Sequence, residues 1–178
     1  MEKNLVIAIS GPPGAGSSTI SMLLAKKLKL RYLSPGKTYK SFLDEKEAKA
    51  ALDFWKTKFG SSKKLHHDLD NEQIKEAKKG SIVICGKLSI HFLKNLSNCK
   101  VWLDVPLKIR AERTAKRDNI PVKTAQRQIL ERQNLERKKW KDMYSFDYFN
   151  QKKLADIVLK GGKMKAEETV QKIIDYVT

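Results

Sequence analysis

Leu5-Val6-Ile7-Ala8-Ile9-Ser10-Gly11-Pro12-Pro13-Gly14-Ala15-Gly16-Ser17-Ser18-Thr19 is the stretch that decides the architecture. Its opening run of consecutive apolar residues, rich in β-branched side chains, reads as a strand buried on both faces. A glycine- and proline-rich turn ends that run, and Ile20, Leu23, Leu24 and Leu28 then recur at helical spacing. Strand, loop and helix in this order are the setting of the G-x-x-x-x-G-K-[ST] phosphate loop. In such a loop successive backbone N–H groups turn inward around an anion, and the helix start adds its dipole. Gly11 to Thr19 fits the frame: Ser18 stands at the hydroxyl that ligates Mg²⁺, and Thr19 can donate to a phosphate oxygen. Ser17 occupies the lysine position, so the loop lacks the cation that normally acts on the β- and γ-phosphates. Losing that charge costs orders of magnitude in phosphoryl transfer unless another cation substitutes. A bare βα turn without a ligand needs fewer glycines than this one carries.

Working outward, further β-rich apolar runs lie at residues 81–85, 101–105 and 154–159, with Tyr32-Leu33 as a short fifth strand. Helical patterns fill 38–59, 65–79, 107–117 and 122–144, and a last helix carries Val170, Ile173, Ile174 and Val177. Pro121 reads as the start of the fourth of these helices. Alternation of strand and helix predicts a parallel sheet covered on both faces. At 178 residues the chain suits one domain with a sizeable core. Two insertions are expected within it, one at about 36–64 and one at about 108–141, the latter holding twelve basic and four acidic residues.

Composition narrows the partners. Charged residues make up 32% and the formal net charge is +17, a field that attracts phosphates on nucleotides or on nucleic acid. The first apolar run is too short for a signal peptide core or a bilayer span, so a cytoplasmic protein without membrane attachment is expected. Cys85 and Cys99 form no CxxC pair and read as free thiols, and His66, His67 and His91 have no metal-ligand spacing. Trp55, Trp102 and Trp140 are assigned to packing rather than to base stacking.

Taken together, GPPGAGSST, the LSPGKTYK of Leu33 to Lys40, LDNEQ from Leu69 to Gln73, CGKLS from Cys85 to Ser89, WLDVPLKIRAERTAKRD from Trp102 to Asp118, and LERQNLERKKWKDMY from Leu130 to Tyr144 resemble the archaeal-type cytidylate kinases among the P-loop nucleoside monophosphate kinases. The resemblance runs through almost the whole chain. It implies a single P-loop kinase domain over 1–178, a three-layer α/β sandwich on a five-stranded parallel sheet, with a helical insertion for the acceptor nucleotide and a helical lid. It also implies ATP and Mg²⁺ as cofactors and a monomer that moves the γ-phosphoryl group of ATP to CMP or dCMP.

The same resemblance distributes roles. Gly11, Pro12, Pro13, Gly14, Ala15, Gly16, Ser17, Ser18 and Thr19 would hold ATP, and a hydroxyl residue at Ser17's place is a trait of the family. Ser34, Gly36, Lys40, Asp70, Gln73, Lys87 and Arg110 would surround the acceptor nucleotide, with Lys40 replacing a usual arginine. For Asp70 and Gln73 a solvated helix face is the competing reading. Cys85-Gly86-Lys87 stands where the family has Glu-Gly-Arg, leaving Ser18 and Asp104 as the metal ligands to expect, although Asp104 could instead cap the helix that follows it. Arg113, Arg132 and Arg137 would be the catalytic arginines, since planar forks grip phosphate oxygens bidentately. Arg110, Arg113 and Arg117 share one helix face by their spacing. The departures at Ser17 and Cys85 leave two alternatives: a weakened nucleotide-binding module that uses its charge to hold RNA or another polyanion, and a kinase for a different small acceptor.

Overall fold

The computed structural model describes residues 4–36, 47–162 and 164–178. The first apolar run forms β1 (Val6–Ser10), every residue of it buried, and the helix that follows is α1 (Ser17–Leu28). Then come β2 (Arg31–Leu33), α2 (Glu47–Lys56), α3 (Lys63–Ala77), β3 (Ile82–Cys85), the single turn α4 (Ser89–Phe92) and β4 (Cys99–Asp104). The chain continues through α5 (Leu107–Asp118), α6 (Val122–Tyr144), a 3₁₀ helix (Tyr148–Leu154), β5 (Ile157–Lys160) and α7 (Ala166–Val177).

The five strands are parallel in the order β2-β3-β1-β4-β5. Alternation along β1 sends Ile7 and Ile9 to one face, where they pack with Leu24 of α1 and Ile173 of α7. Val6 and Ala8 face the other layer with Trp102, Trp140 and Tyr148. This is the three-layer arrangement expected from the sequence. Register pairs Ile9 with Cys85 and Ser10 with Trp102, so the loops leaving β1, β3 and β4 emerge together at one edge. Sheet order reverses around β1, and such a switch point opens a crevice at the carboxyl ends of the strands.

Most element boundaries shift by a residue or two from the sequence reading, and two differences are larger. The run at 154–159 divides, because residues 148–154 wind as a 3₁₀ helix and only Ile157–Lys160 pairs with β4. Of the helix expected over 38–59, the part inside the described residues is α2. Helix α6 starts as expected, with Pro121 at its N-cap and Val122 first in the helix. Both cysteines are free and buried, and burial pushes the Cys99 thiol up to about 12. Among the described residues no helix is long and apolar enough to cross a membrane.

Candidate active site

The loop between β1 and α1 is shaped by its glycines and by a buried arginine beneath it. Gly14 (φ 78°) and Gly16 (φ 86°) take left-handed backbone, and a Cβ on Gly14 would stand 3.2 Å from the Cβ of Arg110. Arg110, only 6% exposed, donates from Nε to the Val105 carbonyl at 3.0 Å and from a terminal nitrogen to the Pro13 carbonyl at 2.8 Å. It therefore ties the loop to the end of β4. The side chain expected at the acceptor nucleotide is instead a brace under the phosphate loop, and it does not line the main cavity.

The end of β3 is bolted to the same loop. Ser10 Oγ donates to the Gly86 carbonyl at 2.7 Å and accepts from the Ile90 N–H at 3.3 Å, and Lys87 Nζ donates to the Gly11 carbonyl at 2.7 Å. Gln151, wholly buried in the 3₁₀ helix, fixes Lys87 from the other end by donating to its carbonyl at 2.8 Å. Burial draws the Lys87 ammonium down to about 8; Arg132 and Arg110 press the same way, while Glu136 and Cys85 oppose them.

A cavity of about 490 Å³ opens above this platform. Its floor carries Gly14, Gly16, Ser17, Ser18 and Thr19, and Ser34, Gly36, Cys85 and Lys87 continue the wall. At the far end Asp70 accepts a hydrogen bond from the Tyr144 hydroxyl and one from Gln73 Nε2 at 3.0 Å, while Gln73 Oε1 accepts from Ser89 Oγ at 2.7 Å. Both residues are buried, so the solvated-face reading of this pair is excluded. Burial raises the Asp70 carboxyl to about 6, with the two hydrogen bonds pulling the other way.

Opposite stands a wall the sequence did not mark. Trp55, His66 and Trp140 all line the cavity: Trp55 stacks on His66 at 4.5 Å between ring centroids and meets Trp140 edge-on at 5.1 Å. His66 Nε2 lies 2.9 Å from the Gly60 carbonyl, which can only accept, and burial holds the imidazole below its ordinary pKa. Glu136 is fully buried on the same wall. One of its oxygens accepts from Trp55 Nε1 at 3.1 Å and from Arg132 Nε at 2.7 Å, and the other has no partner among the described residues. Asp118 of α5 accepts from the Ala48 N–H at 3.1 Å, and Lys56 pairs with Glu131 at 2.7 Å. Helix α2 is thus joined to both α5 and α6 along one side of the cavity.

The remaining expected residues separate. Arg132 lines the main cavity, and Arg113 lines a second one of about 260 Å³ on the other side of the loop, with Gly16, Thr19, Gly161 and Lys165. Arg137 lies at neither: it pairs with Asp147, and its guanidinium sits 5.0 Å from the Phe149 ring centroid. Asp104 is held by Lys152 at 2.7 Å, outside both cavities. It does not cap α5 either, since Pro106 is the N-cap and no side chain bonds there. Gly11 and Pro12 line neither cavity, Ala15 lines the second, and Lys40 lies outside the described residues.

Comparison with known proteins agrees with this architecture. Solved structures with the same fold include an uncharacterized protein from Eubacterium ventriosum (TM-score 0.71, 19% identity, 98% of each chain covered) and the shikimate kinase of Acinetobacter baumannii in complex with shikimate (TM-score 0.63, 20% identity, 99% of this chain and 94% of that one). In sequence the chain is 34% identical to a cytidylate kinase of Pyrococcus horikoshii, over 92% of this chain and 83% of the relative. It is 33% identical to one of Sulfurisphaera tokodaii, over 96% and 93%. The model of the cytidylate kinase-like family matches residues 6–163, almost the full span from β1 to the start of α7. With a phosphate loop at the sheet's switch point and these relatives along nearly its whole length, the chain belongs to the cytidylate kinase-like family and is a nucleoside monophosphate kinase.

Proposed function

We propose that this protein transfers the γ-phosphoryl group of ATP to CMP or dCMP, releasing ADP and the pyrimidine diphosphate. The observation that carries the reading is the single cavity of about 490 Å³ in which the phosphate loop, the Asp70–Gln73 pair and Arg132 meet. That volume lies in the range of about 300–1,000 Å³ usual for small-molecule sites. Two carboxylates on its walls, one with an oxygen that no described residue bonds, favour a base that presents an amino group, hence cytosine over uracil.

Each group then has a task. Backbone N–H groups from Gly11 to Thr19 cradle the donor phosphates. Ser34, Gly36, Lys40, Asp70 and Gln73 receive the acceptor, and residues 36–64 and 108–141 close over it as acceptor lobe and lid. An oxygen of the acceptor phosphate attacks the γ-phosphorus in line. The bond from that phosphorus to the bridging oxygen breaks, and ADP departs with the electron pair. Arg132 and Arg113 neutralise the charge on the transferring group, while Arg137, in its pair with Asp147, belongs to the lid. Closure excludes water and so suppresses hydrolysis. The donor set fits a magnesium ion that arrives with the nucleotide: Ser18 would be its protein ligand, and phosphate and water oxygens would fill the other positions, as Mg²⁺ prefers. When bound, that ion would supply charge neutralisation to the donor phosphates. We take the enzyme to act as a cytoplasmic monomer on free nucleotides.

A coupled assay with MgATP and CMP, dCMP, UMP, AMP or GMP tests the reading. ADP release dependent on CMP or dCMP and lost in Ser18→Ala is expected; nucleotide binding with no turnover on any acceptor refutes it.

A further inference from the structure

We infer that Lys87, just past the end of β3, supplies the positive charge that the phosphate loop lacks at Ser17 and acts on the donor's terminal phosphates alongside the arginines. This inference rests on the phosphotransferase reading above and gives Lys87 a different task from binding the acceptor.

Four observations converge on it. Ser17 and Lys87 line the same cavity, so an ammonium just past β3 and a lysine side chain from the start of α1 would serve one space. The Lys87 ammonium rests on the carbonyl of Gly11, the first residue of the loop, at 2.7 Å. It stands at the rim of the N–H cradle, where a chain of phosphates must pass. A primary ammonium has three donors, and among the described residues Gly11 takes one of them, which leaves the others to meet phosphate oxygens. Finally, Lys87 is held at its ammonium by Gly11 and at its backbone by buried Gln151, which donates to the Lys87 and Tyr148 carbonyls, each at 2.8 Å. A flexible stem held this way loses little further entropy when phosphate arrives, and preorganised charge is what stabilises a phosphoryl-transfer transition state.

Arg113 is the competing source of charge, since its terminal nitrogen lies 4.0 Å from the position of a Cβ on Gly16. It approaches the loop from the second cavity, and Arg132 in the main one bonds to Glu136, whereas Lys87 rests on the loop itself in the cavity it shares with Ser17 and Ser18. Arg110, the other buried cation nearby, is committed to the carbonyls of Val105 and Pro13.

The test moves the charge back to the place the loop left empty. Lys87→Met, Ser17→Lys and their double variant are compared in two readouts: kcat and acceptor KM in the coupled assay, and calorimetric binding of inorganic tripolyphosphate without any acceptor. Tripolyphosphate reports on the loop whatever the acceptor proves to be, so a wrong acceptor assignment does not disturb that arm. Lys87→Met should lower kcat about 100-fold, the scale of losing one preorganised electrostatic group. Acceptor KM should stay within about threefold, and the tripolyphosphate Kd should rise about tenfold, the fold-change of losing one charged contact. Adding Ser17→Lys should restore both readouts at least about tenfold. Lys87→Gln, which offers the Gly11 carbonyl an uncharged donor, should behave as Lys87→Met and separates loss of charge from loss of fold. A raised acceptor KM with unchanged kcat and tripolyphosphate binding overturns the inference and returns Lys87 to the acceptor. So does failure of Ser17→Lys to restore either readout, and so does an Arg113→Ala variant, made alongside, that Ser17→Lys rescues while Lys87→Met is not rescued.

Discussion

Replacing Arg110 by methionine separates the brace seen in the structure from the acceptor contact that its position in the sequence suggests. Two hydrogen bonds disappear, from Nε to the Val105 carbonyl and from the guanidinium to the Pro13 carbonyl, and both acceptors are buried. Bonds from a charged donor are worth about 1.5–3 kcal/mol each, so the gross loss is about 3–6 kcal/mol. Against this, the variant no longer buries a guanidinium, and burial already holds that group below its ordinary value. The relief is a few kcal/mol, and methionine refills the path of the stem, leaving a net loss of about 2–3 kcal/mol. With a urea slope of about 2 kcal/mol per molar, the unfolding midpoint should fall by about 1 M. The freed Pro13 carbonyl also loosens the loop, so the Kd for ATP should rise at least about tenfold while acceptor KM changes little. Isothermal titration with ATP and urea melts read by far-ultraviolet circular dichroism give both numbers. An unchanged ATP Kd together with a raised acceptor KM would refute the brace, as would a midpoint shift under about 0.3 M.

Arg132→Ala should cut turnover at least about tenfold with less effect on ATP affinity, as steady-state kinetics will show, because the group acts on the transferring phosphoryl. Glu136→Leu should cost about 3 kcal/mol in urea unfolding, since it strands the Trp55 N–H and the Arg132 guanidinium; Glu136→Gln, which keeps the acceptor, should cost under about 1 kcal/mol. Asp70 makes stability depend on pH: its carboxyl rises from 3.8 to about 6 on folding, so the native state binds this proton more tightly. That contribution is full below about pH 4 and is lost as pH rises through about 6, a span worth on the order of 3 kcal/mol. Asp70→Asn should therefore be more stable than the parent at pH 7.5 and no more stable at pH 4, in melts at the two pH values. Gly14→Ala, forced to keep a φ of 78° with Arg110 Cβ at 3.2 Å and Ile129 Cδ1 at 3.3 Å, should lose about 1–3 kcal/mol of stability in the same melts, and ATP affinity with it.

Local pattern was enough for the sheet, for the loop and for the start of α6 at Pro121, because period and turn chemistry act over a few residues. The site residues that escaped it depend on contacts distant in sequence. Spacing puts Arg110, Arg113 and Arg117 on one face of α5, but that face straddles the phosphate loop. Arg110 ends beneath the loop, Arg113 over Gly16, and Arg117 in the main cavity. Asp104 looked free for a metal until the 3₁₀ helix, which no periodicity announces, brought Lys152 against it. Glu136 follows Arg132 by four residues and so reads as an exposed helix pair. It is buried because Trp55, from another helix, closes over it. Asp70 and Gln73 were ambiguous on the helix alone, and their bonds to Tyr144 and Ser89 decide the matter.

The aromatic wall also makes the protein its own optical reporter. The chain has three tryptophans; Trp55 and Trp140 line the cavity, while Trp102 is 1% exposed and lies in the core on the sheet. A base or phosphate entering the cavity displaces water beside two indoles and leaves the third as an internal standard. Emission should change in intensity and wavelength with nucleotide concentration, and Trp55→Phe and Trp140→Phe would apportion that signal between α2 and α6. Rapid mixing could then follow closure in real time without an attached dye.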